Sequence, residues 1–119
     1  MVAEIDLIVD AADNPDTTYM IDSFCRENDL PWVTAGVKGW EAQIFSYRPG
    51  GVGYSDIVPK EGLEGEILPC SIEGILGATA GMAACIMTAE AIKILVGIES
   101  ESGLLTVNLL TDNFNFFKI

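Results

Sequence analysis

The stretch Glu4-Ile5-Asp6-Leu7-Ile8-Val9-Asp10-Ala11-Ala12-Asp13-Asn14-Pro15 decides the fold. Its aliphatic run over residues 4–12 has the composition of a buried strand, and Asp-Asn-Pro marks the turn that ends it. Beyond the turn, Tyr19, Met20, Phe24 and Cys25 recur at close to helical spacing until Leu30-Pro31 stops the pattern. A second short apolar run, Trp32-Val33-Thr34-Ala35-Gly36, follows Pro31. Strand, helix and strand in that order predict a parallel crossover, half of a nucleotide-fold layout.

Working outward, residues 41–47 are rich in β-formers and end at Pro49-Gly50-Gly51. The short link from Gly36 favours an antiparallel neighbour, so the sheet is expected to be mixed. Residues 50–73 hold glycines and prolines without periodicity and read as a long loop carrying Cys70, the kind of loop that is often functional. Residues 75–96 predict one long buried helix, with Gly97 as its C-terminal cap. Gly77 and Gly81 form a GxxxG spacing on it, but Glu90 and Lys93 cut the uncharged run to residues 75–89, short of the ~20 that a membrane span requires. Residues 104–110 and 114–119 are strand-like and flank Thr111-Asp112-Asn113, a hairpin signal. The fold class is therefore α/β, with parallel strands followed by antiparallel ones.

A chain of 119 residues, 50% of them hydrophobic, can bury one core, which predicts a single domain over 1–119. Eighteen acidic residues against six basic ones give a formal charge of -12. The cations Arg26, Lys38, Arg48, Lys60, Lys93 and Lys118 are dispersed, so neither nucleic acid nor an anionic membrane is an expected partner. Cys25, Cys70 and Cys85 match neither a disulfide framework nor paired zinc ligands, and no secretory signal opens the sequence, so a cytoplasmic location with reduced thiols is expected.

Two places could carry chemistry. The Asp10-Ala-Ala-Asp13-Asn14 turn lies at the C-terminal end of the first strand, where open α/β sheets bind ligands. A carboxylate there could hold Mg²⁺ on nucleotide phosphates; equally, Asp13 or Asn14 could cap the next helix. Cys70 stands just before the long helix, whose N-terminus would favour a thiolate, although the chain has no histidine to serve as a base. Cys25 and Cys85 fit better as small core residues.

These segments together resemble the C-terminal half of the ThiF/MoeB/HesA family, relatives of ubiquitin-activating enzymes. The resemblance is carried in order by residues 6–14, 31–36, 40–45, Cys70, 74–77 and 89–95. It implies the C-terminal part of a Rossmann-like adenylation domain, which uses ATP and Mg²⁺ to adenylate the terminal glycine of a ubiquitin-like or sulfur-carrier protein for thiamin or molybdopterin synthesis. It assigns Asp13 to Mg²⁺-ATP, places Asn14 in the same cofactor motif, and matches Cys70 to a cysteine that forms a thioester or persulfide in some members. The family's glycine-rich nucleotide loop and its phosphate-binding Arg and Lys have no counterpart here. Many members bind zinc through two CxxC pairs; Gly53 and Asp56 hold the places of the first, so zinc is not expected. Thr18 stands where an arginine is common and Met87 where the helix usually has glutamine, as in a divergent branch.

The expected partners are accordingly a ubiquitin-like sulfur-carrier protein and a missing N-terminal half or partner subunit, in a homo-oligomer. As this segment alone, the chain is expected to be inactive. The competing expectation is a non-catalytic module that docks a ubiquitin-like protein or a partner chain.

Overall fold

A computed structural model describes residues 4–12, 14–58, 76–98 and 102–118. Five strands lie in the order β1 to β5, flanked by helices: β1 (Ile8–Asp10), α1 (Pro15–Asn28), β2 (Trp32–Lys38), β3 (Glu41–Tyr47), α2 (Tyr54–Ile57), α3 (Gly77–Leu95), β4 (Gly103–Asn108) and β5 (Asn113–Lys118). β1 and β2 are parallel, joined by the α1 crossover, and every later pairing is antiparallel. The mixed α/β sheet read from the sequence is thus the one observed.

The strand expected over residues 4–12 shrinks to three residues. Its ladder begins where Ile8 N–H donates to the Pro31 carbonyl, and pairing runs only from Ile8 against Trp32 to Asp10 against Thr34. Among the described residues no strand lies on its other side, and Val9 is 50% exposed. α1 starts with Asn14 as its cap and Pro15 in its first turn, where a missing N–H costs nothing. It stops at Asp29, which takes the left-handed conformation (φ 51°) while Leu30 N–H closes on the Cys25 carbonyl. Met20, part of the apolar spacing in the sequence, points outward; Ile21 and Phe24 pack inward.

Alternation along the strands builds two cores. Toward α1, Trp32, Phe45 and Tyr47 pack with Cys25, Ile8, Phe24 and Leu104. Toward α3, Ala42 and Ile44 pack with Ala83, Ala35, Met87 and Leu105. Burying Trp32 and Phe45, each at most 1% exposed, contributes about 2–3 kcal/mol apiece.

The long helix departs from expectation in its burial. Thr79, Ala83 and Ala91 are buried, while Gly77, Ala78, Gly81, Ala84, Cys85, Thr88, Ile92 and Leu95 are exposed. One face therefore rests on β2 and β3, and among the described residues no element covers the opposite face; by length and composition alone the helix is long and apolar enough to cross a membrane. Cys85, read as a core residue, lies on that outer face; the helix is apolar around most of its girth, so composition hid which side meets the sheet. Gly97 ends α3 with φ +79°, and Ile98 N–H reaches back to the Lys93 carbonyl.

The expected loop over residues 50–73 contains a helical turn, α2, and residues 59–75 lie outside the described residues. At the end of the sheet, the β4–β5 hairpin closes through Asp112 (φ 57°). The Asn108 side chain accepts from the N–H groups of Leu110 and Thr111, which ends β4 two residues before the expected boundary.

Candidate functional site

The C-terminal end of β1 is organised by Asp10. Its carboxylate is 3% exposed and accepts from Thr18 Oγ1 (2.7 Å), Thr34 Oγ1 (2.8 Å) and the Ala12 N–H (2.9 Å). One side chain thereby ties β1 to α1, to β2 and to the start of its own turn. Buried in that way it is a structural acceptor, with no oxygen presented for a metal. Thr18, at the position where the resemblance leads one to look for arginine, is spent on the same carboxylate.

Asn14 follows at the head of α1. It is extended (φ -150°, ψ 115°), and its Oδ1 accepts from the Asp16 N–H at 2.9 Å, the bond of a helix cap. Asp13 and Cys70, the residues assigned to Mg²⁺-ATP and to covalent chemistry, lie outside the described residues. Among the described residues no cluster of three or more metal-ligating side chains occurs, and Asp10 and Asn14 do not compose a Mg²⁺ site without Asp13.

A second polar assembly joins α1 to α2. Asp22 is 1% exposed and accepts from the Tyr54 N–H (2.8 Å), the Ser55 N–H (3.4 Å) and the Ser55 hydroxyl (2.9 Å). Arg26 reaches Asp22 (3.7 Å), Ser55 Oγ (3.1 Å) and Asp56 (3.5 Å). The turn so held drops Tyr54 among Tyr19, Trp32 and Phe45, with ring centroids 5.4, 6.0 and 5.5 Å away. Burial, then the Tyr54 and Asp22 charges, pushes the Tyr19 hydroxyl up to about 12, and Tyr19 donates to the Val58 carbonyl. Burial, then Asp22, pushes the Cys25 thiol up to about 11, so it is a thiol at neutral pH and no nucleophile. A shallow cleft of about 390 Å³ on this side is lined by Asp16, Tyr19, Met20, Ser23 and Ser55.

Sequence reading did not single out Asp22, Arg26 or Tyr54. The signal was present as an Asp–Arg pair at i, i+4 beside an otherwise apolar helix face, but its partners sit about thirty residues away in a segment read as loop. The places that the resemblance gives to a first zinc pair hold Gly53 and Asp56. A Cβ built on Gly53 would fall 2.8 Å from both Cδ and Nη1 of Arg26, and only one carboxylate stands where two thiolates are needed. The residues present do not fit zinc.

A parallel strand–helix–strand crossover with polar residues gathered at the carboxyl end of its first strand defines an α/β protein of nucleotide-fold layout. Comparison makes the class specific: the sequence model of the ThiF family matches residues 1–119, and the chain belongs to that family. It is 32% identical over its full length to a probable molybdopterin-synthase adenylyltransferase of Gracilaria tenuistipitata var. liui, covering 34% of that protein. It is 33% identical over 81% of its length to the SAMP-activating enzyme E1 of Haloferax volcanii, covering 36% of it. E. coli MccB, solved with ATP, shares the fold at a TM-score of 0.73 and 22% identity, over 98% of this chain and 37% of MccB. The chain thus spans about a third of these relatives.

Proposed function

We propose that this chain forms the C-terminal part of an ATP-dependent unit that adenylates the C-terminal glycine of a ubiquitin-like or sulfur-carrier protein. The observation that carries the reading is β1. Among the described residues it is a parallel strand paired on one side only, with Val9 half exposed and the turn toward Asn14 at its carboxyl end. Parallel strands are ordinarily covered on both faces and continued at their edges. The proposal adds a nucleotide-loop half at that edge, from the same polypeptide or a partner, which brings ATP to the turn.

The division of labour follows from charge and geometry. In the reaction a carboxylate oxygen attacks the α-phosphorus, an acyl-phosphate bond forms, and pyrophosphate departs. The chain's formal charge of -12 makes it a poor phosphate binder, so the cations come from the other half. Asp10, Thr18 and Thr34 hold the turn rigid at the reaction edge, Asn14 fixes its exit into α1, and Asp13 in that turn is proposed to face the nucleotide. Magnesium, when bound, would offset repulsion between the two anions. Cys70 is proposed as the acceptor of the activated acyl group: its thiolate attacks the acyl carbon, a thioester forms, and the bond to AMP breaks. The relatives named for molybdopterin synthesis and SAMP activation support this substrate class.

ATP–pyrophosphate exchange tests the reading. With a carrier protein present, the chain by itself should show none, and adding the N-terminal half of a relative should restore it. Asp13→Ala should then lower exchange by at least tenfold. Exchange by the chain unaided would overturn the division of labour. A second reading, a docking module without catalysis, is favoured by one observation: Phe114, Phe116 and Phe117 are all more than half exposed on β5. Carrier binding that persists while exchange stays absent with every N-terminal half would establish that alternative.

A further inference from the structure

The place where a ThiF-like chain could carry the first half of a zinc site is taken in this molecule by a side-chain cation. We propose that Arg26 is the structural cation of the α2 turn, its guanidinium occupying space that a side chain at 53 would enter and holding residues 53–58 on α1 without a metal. The inference is independent of the adenylation reading, because every readout below is structural.

Three observations carry it. The first is exclusion: a Cβ on Gly53 would meet Arg26 Cδ and Nη1 at 2.8 Å and Cζ at 3.0 Å. A side chain at 53 therefore requires the flexible end of Arg26 to move, whereas glycine leaves the guanidinium against the backbone. The second is charge. Asp22 and Asp56 approach different nitrogens of the guanidinium, at 3.7 Å on Nη1 and 3.5 Å on Nη2. A delocalised cation with its donors in a planar fork can serve both carboxylates and still reach Ser55 Oγ at 3.1 Å. The third is closure: Asp56 also accepts the Gly53 N–H at 3.2 Å, while Asp22 takes the N–H groups of Tyr54 and Ser55. The N–H groups of residues 53–55 are thus taken up by the same two carboxylates that the guanidinium bridges.

A metal and an arginine in this position differ in what disturbs them. Zinc–thiolate bonds yield to chelators and thiol oxidants; a partly exposed guanidinium bridge yields to salt.

Amide hydrogen exchange of the peptide covering residues 53–58 reads the turn directly, with zinc content measured by atomic spectroscopy. Purified chain should hold less than 0.1 zinc per molecule, and a chelator should leave its exchange unchanged. One molar sodium chloride and Arg26→Met should each speed exchange at Tyr54 and Ser55 by tenfold or more, with β3 and β4 unaffected. Arg26→Lys, a cation without the fork, should fall between. Stoichiometric zinc in the purified chain, or exchange indifferent to Arg26→Met, would overturn the proposal. Should Arg26→Met not fold, the salt titration on the unaltered chain decides: no acceleration at residues 53–58 sinks it.

Discussion

Replacing Asp10 by alanine or by asparagine separates hydrogen bonding from charge at the carboxyl end of β1. The carboxylate receives three hydrogen bonds, two of them from threonine hydroxyls on different elements, and is almost wholly buried. Asp10→Ala leaves the hydroxyls of Thr18 and Thr34, themselves 9% and 6% exposed, without that acceptor. Each orphaned buried group costs about 1–3 kcal/mol, and a bond to a charged acceptor is worth about 1.5–3 kcal/mol. The terms overlap, and Thr18 can fall back on the Asn14 carbonyl at 3.4 Å, so the expected loss is about 3–4 kcal/mol. Asp10→Asn keeps an oxygen for the Ala12 N–H and offers an amide whose two hydrogens can reach both threonine oxygens. Its cost should be about 1 kcal/mol. Urea unfolding followed by the fluorescence of buried Trp32 gives both values from midpoints at constant slope. A loss under 1 kcal/mol for the alanine variant would refute the tie between β1, α1 and β2. Equal losses for alanine and asparagine would show that charge, and not the hydrogen-bond set, is what matters.

Two further outcomes follow from the thiols and phenols. In a Cys70→Ser background at pH 8, a thiol reagent should modify Cys85 on the outer face of α3 at least a hundredfold faster than Cys25, which is fully buried with a raised pKa; equal rates would contradict the packing of α1. Raising the pH should also destabilise the fold. Cys25 and Tyr19 are held protonated up to about 11 and 12, above ordinary values of 9.0 and 10.0, so the unfolded chain sheds these protons first. With fewer protons on the unfolded state, stability declines as pH rises. Their contribution is whole below about pH 9 and is lost between there and about 12; urea midpoints that stay level from pH 8.5 to 11 would count against it.

Much of the architecture was legible because it rests on local signals. The Asp-Asn-Pro turn, the Leu30-Pro31 stop and the Asp/Asn hairpin each act within a few residues, so the element order and the change from parallel to antiparallel pairing could be read directly. The failures are non-local. β1 is short because its partner strand begins at Trp32, and nothing in residues 4–7 announces that. α3 is apolar on every side, so its composition could not say which face meets the sheet, and Cys85 was assigned inward. At the site, the resemblance pointed to the β1 turn, yet the hydrogen-bonding role of Asp10 depends on two threonines eight and twenty-four residues away. The Asp22–Arg26 assembly was missed for the same reason: Tyr54 and Ser55 become its partners only after the chain has folded.

The open side of β1 has an energetic meaning as well. Three ladder pairs and one carboxylate hold this strand, which makes it the natural place for the sheet to open locally, well before the antiparallel strands part. A strand that gripped the outer edge at a thousand times its dissociation constant would deepen that local well by about 4 kcal/mol. Because Asp10 rides on β1, the same grip would stiffen the turn that follows, and a ligand ordering the turn would in exchange tighten the grip. Assembly at the edge and occupancy at the turn would then be two handles on a single latch.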